Sequence, residues 1–151
     1  MKKFLLPVLL LTLVFGCNKD KFQTKPQLSL KSMNGNVIPA GGTLNLVLEF
    51  TDKEGDVQDT LFMTRTRINR RGFDIKNNYQ FVLPQFPDNK KGEISVDLPQ
   101  SSYLSLALTP IAIPGSGNRN EPDSLILKFV LRDKAGNKSD TLVVPDIYVI
   151  R

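Results

Sequence analysis

The chain has 151 residues, a formal net charge of +5, one cysteine, no histidine and no tryptophan. The lone cysteine excludes an intrachain disulfide, and the lack of histidine excludes Ser–His and Cys–His nucleophile systems and the usual zinc sites. So modest a charge is not the concentrated basic footprint of a nucleic-acid binder, and no nucleic-acid partner is expected.

The chain opens with Lys2 and Lys3, followed by 12 residues without charge from Phe4 to Phe15, then Gly16 and Cys17. A positive start, a short apolar run and a small residue before a cut are the parts of a secretory signal. The run is too short for a membrane-spanning helix, which needs about 20 apolar residues. Val14-Phe15-Gly16-Cys17 resembles the bacterial lipobox. That resemblance implies removal of residues 1–16 as a lipoprotein signal peptide, with Cys17 acylated and left as the first mature residue. Each buried CH₂ contributes about 0.8 kcal/mol, so two or three acyl chains hold a domain at a membrane where one does so only marginally. Loss of Lys2 and Lys3 with the leader lowers the net charge from +5 to +3.

Residues 17–27 read as the lipidated cysteine and a flexible polar tether, too polar to bury a core face. Lys19-Asp20 within it resembles the lysine-acid export signal of surface lipoproteins in the Bacteroidota, and equally reads as a solvated charge pair. The resemblance implies a lipid-anchored protein of the outer membrane, on its periplasmic or cell-surface face.

From residue 28 onward the dominant signal is alternation with period two. Leu44, Leu46, Leu48 and Phe50 share one face, and Leu125, Leu127, Phe129 and Leu131 share another. Leu28 and Leu30, then Tyr79, Phe81 and Leu83, then Ile94, Val96 and Leu98, then Ile147 and Val149 repeat the pattern. Half-buried strands produce this pattern, and no window keeps a helical stripe. Turn residues fall between the runs, among them Asn34-Gly35-Asn36, Glu54-Gly55-Asp56 and Gly136-Asn137. The spacing predicts an all-β domain over 28–151, an antiparallel sandwich of seven to nine strands. Leu46, Leu48, Phe50, Phe81, Leu127, Phe129 and Leu131 are its expected core. Tyr103 to Leu108 reads as one possible extra strand, and residues 109–123 as one long loop.

Leu44 to Asp56 and Phe129 to Asp140 look like the strand-plus-turn segments of bacterial immunoglobulin-like domains, the run Asp133-Lys-Ala-Gly-Asn137 being the more specific. The resemblance implies an immunoglobulin-like β-sandwich in the cell envelope. It implies no activity, because such sandwiches host many unrelated functions.

Three groups of residues invite a functional reading. Asp52, Glu54, Asp56 and Asp59 offer oxygens to calcium, which takes six to eight of them. The same residues, with the echoing Asp133 to Asn137, equally read as two tight turns in which aspartate bonds the backbone. If both turns leave the sandwich at one end, Asp133 and Asn137 join that acidic patch. Arg65, Arg67, Arg70 and Arg71 have no acid among them and could grip a phosphate or carboxylate, or simply form a solvated strand face. Tyr79, Phe81, Phe86 and Tyr103 read either as stacking residues for a glycan or as core.

The expectation is therefore a non-enzymatic binding or assembly module, anchored to the membrane through acylated Cys17, with an envelope protein or a glycan as partner. A structural subunit pairing by an edge strand is the alternative. A carboxylate-based glycan-active enzyme is a third.

Overall fold

A computed structural model describes residues 24–69 and 75–151. The predicted leader, Cys17, and the arginines Arg70 and Arg71 lie outside the described residues. Among the described residues the regular structure is nearly all strand: β1 (Gln27–Met33), β2 (Val37–Ile38), β3 (Thr43–Thr51), β4 (Thr60–Arg67), β5 (Ile75–Val82), β6 (Lys91–Pro99), β7 (Asp123–Arg132) and β8 (Leu142–Val149).

The strands form two sheets, one in the order β1-β3-β6 and the other β2-β8-β7-β4-β5. All pairings are antiparallel but one, the two-residue β2 lying parallel to β8. That pairing corrects the purely antiparallel expectation. Asn36 enables it, its carbonyl accepting from the Tyr148 amide at 2.7 Å and its side chain donating to the Asp146 carbonyl at 3.2 Å.

The alternation read in the sequence maps onto burial. In β3, Leu44, Leu46, Leu48 and Phe50 are buried while Asn45 and Thr51 face out. In β7, Leu125, Leu127, Phe129 and Leu131 are fully buried and Lys128 is exposed. Both sets belong to one core cluster with Leu61 and Met63 of β4, Val96 and Leu98 of β6, and Ile147 and Val149 of β8. Phe81 is half-buried and packs against this core. Phe50 lies over Gly92, its partner across the β3–β6 ladder, where a β-carbon would come within 2.6 Å of the ring. The glycine makes room for the aromatic.

Two stretches differ from the expectation. Tyr103 to Leu108 is not a strand: Gln100–Leu104 forms one turn of π-helix, closed by the Ser105 amide on the Gln100 carbonyl at 2.7 Å. Residues 109–123 are not one open loop, since Ala112 bridges Asn120 in a small hairpin and Asp123 already belongs to β7. With only β4, β5 and β6 between them, β3 and β7 run so that their C-terminal ends share one end of the molecule.

The fold takes in residues before the expected domain edge at 28. Pro26 is buried, Gln27 pairs with Thr51, and Lys25 bonds Asp140 at 2.7 Å. The chain therefore enters the fold at the same end as the turns after β3 and β7.

Candidate functional site

The turn after β3 is built by Asp52. Its Oδ2 accepts the Gly55 amide at 2.6 Å and the Asp56 amide at 3.3 Å, while Gly55 takes a φ of +81°. The turn after β7 is built the same way by Asp133, whose two oxygens accept the Asn137 amide (2.7 Å) and Asn137 Nδ2 (2.9 Å). Gly136 supplies the positive φ there, at +90°. Short aspartate side chains replace backbone partners in such turns, and glycine bears the left-handed conformation without a steric cost. The two turns are joined directly, the Lys134 amide donating to the Asp56 carbonyl at 3.0 Å.

This brings carboxylate oxygens of Asp52, Asp56 and Asp133 within 4.8 Å of one another. Asp52 and Asp133 are buried, at 5% and 1% exposure, and Asp56 is half-buried. Asp52 Oδ1 and Asp56 Oδ1 are buried without a hydrogen-bond partner in the protein. Burial first, and then the charge of Asp133, push the Asp56 carboxyl above its usual range. The other two residues expected in the acidic set are not brought in. Glu54 is exposed at the turn, and Asp59 is held by the Arg132 guanidinium, which also reaches Thr60 Oγ1 at 3.2 Å. Asp133 takes their place, and the echo between the two turn sequences was the signal for it.

The arginine expectation is corrected. Arg65 and Arg67 are 0% and 1% exposed, so neither forms a solvated face nor reaches an external anion. Arg65 donates to the carbonyls of Tyr103 (2.6 Å), Leu104 (3.0 Å) and Leu106 (2.9 Å). Arg67 donates to the Thr109 carbonyl at 2.7 Å and pairs with Asp123 at 3.0 Å. Asp123 also binds Arg151, which caps the Leu108 carbonyl. The face carrying Leu61, Met63, Arg65 and Arg67 thus stays buried along all of β4, because the segment 100–109 crosses over it and its carbonyls meet the guanidinium forks. Asp123 was not legible as a partner, since the sequence places it at a loop end.

The aromatics gather at the open side of the fold. Tyr79 and Phe81 pack on Tyr103 at centroid distances of 5.4 and 5.5 Å, and Phe86 lies 6.4 Å from Phe50. All four are partly buried against the core. Between the edges of β5 and β6, Phe81, Phe86 and Tyr103 border a groove of about 400 Å³, lined also by Val82, Leu83 and Ile94 and by the carboxylate residues Glu93 and Asp97. Val82 is 83% exposed there.

No protein-family model matches the chain, and no curated protein matches it. Among solved structures the chain is similar to Spo0M, a sporulation control protein from Bacillus subtilis, with a TM-score of 0.46 and 11% identity. The match covers 84% of this chain and 50% of that one, so the chain spans about half the length of the structure it matches. No helix among the described residues is long and apolar enough to cross a membrane.

Proposed function

We propose that the chain is a lipid-anchored, non-enzymatic binding or assembly module of the bacterial outer membrane, an immunoglobulin-like sandwich held to the membrane by acylated Cys17. The sheet partners support the immunoglobulin-like reading. Taken as A, B and E, strands β1, β3 and β6 share one sheet; taken as C, F and G, β4, β7 and β8 share the other, with β5 added as C′.

The observation that carries a binding role is the groove between β5 and β6. Among the described residues each of these strands pairs on one side only, so two sheet edges flank an apolar floor. Backbone groups on an open edge add a partner strand, and a groove beside it receives that strand's side chains. This favours a protein partner and keeps the edge-strand subunit as a specific form of the same reading. The groove's two carboxylates, Glu93 and Asp97, stand four residues apart on one strand. That separates them by roughly 13 Å, wider than the about 5–9.5 Å of a glycosidase pair. Only eight residues lie between Cys17 and the buried Pro26, so even a fully extended tether keeps the end carrying the turns within about 30 Å of the anchor.

A photo-crosslinking amino acid at Val82, with one at exposed Val143 on β8 as control, tests the role in cells. The proposal expects a discrete adduct from position 82 and none from 143. Equal or absent adducts at both positions would overturn it.

A further inference from the structure

We propose that Asp52, Asp56 and Asp133 hold a divalent cation of the calcium class between the turns that follow β3 and β7. The proposal stands apart from the anchor and from the groove. Its first basis is geometric: three carboxylates from two separate turns converge within 4.8 Å. Oxygens 2.3–2.6 Å from a calcium ion lie at most about 5 Å apart across its shell, so these separations are of the size that a single ion spans.

The second basis is the state of Asp52. This side chain is 95% withdrawn from solvent, with 5% exposure, and one of its oxygens makes the turn while Oδ1 has no hydrogen-bond partner in the protein. Asp56 Oδ1 is in the same condition. Buried carboxylate oxygens ordinarily accept hydrogen bonds, because leaving one unpaired costs the full desolvation of a charged group. Here two such oxygens sit within one cluster of like charge. A hard cation with oxygen ligands answers both deficits at once. The oxygens of Asp133, although bonded to Asn137, retain further lone pairs for an ion. Lys134, next to Asp133 in that turn, directs its amine toward Asp88 at 3.9 Å.

The ion would then act as the clasp between two loops from different sheets, alongside the single backbone bond from Lys134 to Asp56. Calcium sites of extracellular modules work at about 0.1–1 mM, so the site would be filled outside the cytoplasm.

The test is thermal unfolding of the full chain, stripped with chelator and titrated with calcium chloride to about 10 mM, in parallel with Asp56→Asn and Asp133→Asn. At a hundredfold excess over Kd the wild type should gain about 5–10 °C. Asp56→Asn should lose most of that gain while remaining folded, because the Gly55 and Asp56 amides of the turn are held by Asp52 Oδ2, and without metal it should melt no lower than the wild type. Asp133→Asn keeps an oxygen for the Asn137 amide and should also lose the response. No shift and no heat of binding with wild type, a shift given by magnesium alone, or an undiminished shift in both variants would overturn the proposal.

Discussion

The amide of Lys134 donates to the carbonyl of Asp56 at 3.0 Å, so two turns 78 residues apart in sequence are one piece of structure. Each turn is internally built by an aspartate and a glycine, and this one bond fixes their separation. Gly55 is the constrained member: its φ is +81°, and a β-carbon would lie 3.0 Å from the backbone of Asn89. The Asn89 amide in turn donates to the Gly55 carbonyl at 3.0 Å. Gly55→Ala should therefore destabilise the fold by about 1–3 kcal/mol through left-handed strain and backbone crowding. Gly136→Ala, with nothing within 4 Å, should pay only the strain. Urea denaturation of both variants measures the difference, and equal losses would mean that the contact with Asn89 is not constraining.

Arg67 and Asp123 form a fully buried ion pair at 3.0 Å. Breaking such a pair costs about 3–5 kcal/mol where the remaining charge is left unpaired; Asp123 keeps its second pair, with Arg151, which brings the expected cost to the lower figure, about 3 kcal/mol. Arg67→Ala should lose that amount, and Arg67→Met with Asp123→Leu should lose less than the sum of its parts. Additive losses in the double-mutant cycle would show that the two side chains are not coupled.

Phe129 is the largest apolar side chain among the fully buried residues, and Phe129→Ala should cost about 3–5 kcal/mol. A loss below about 1 kcal/mol would place β7 in the opposite register, because a one-residue slip flips every side chain.

Asp59 bears on acid stability. The Arg132 guanidinium bonded to it lowers the Asp59 carboxyl below its ordinary range. A carboxyl with a depressed folded pKa stabilises the fold above its unfolded value, about 3.9, and that contribution is lost as pH falls through the lower, folded value. The pair is partly exposed, so the effect is small and salt-sensitive. Asp59→Asn should lower stability at neutral pH and flatten its decline below about pH 4. An unchanged slope there would show that Asp59 takes no part in acid unfolding.

The strands were legible because period-two alternation is a local signal, and Leu44 to Phe50 and Leu125 to Leu131 carry it without interruption. The acidic end was legible in part, because the echo of Asp52-Lys-Glu-Gly with Asp133-Lys-Ala-Gly marks two similar turns. Which acids meet is a matter of tertiary contacts, so Glu54 and Asp59 could not be separated from Asp133 by spacing. Arg65 and Arg67 misled for a physical reason. Arginine on a strand reads as solvated, and only the crossing of residues 100–109 over β4 supplies the carbonyls that bury it. The groove arises where two sheet edges fail to meet, which no local pattern encodes.

Attachment to the membrane through Cys17 is the central claim, and metabolic labelling with a fatty acid tests it most directly. Cells expressing the wild-type chain and Cys17→Ala are labelled in parallel, and the protein is recovered from each. The account predicts label on the wild type, none on Cys17→Ala, and release of the variant from the membrane fraction. Equal labelling of the two, or no label on either, would contradict it.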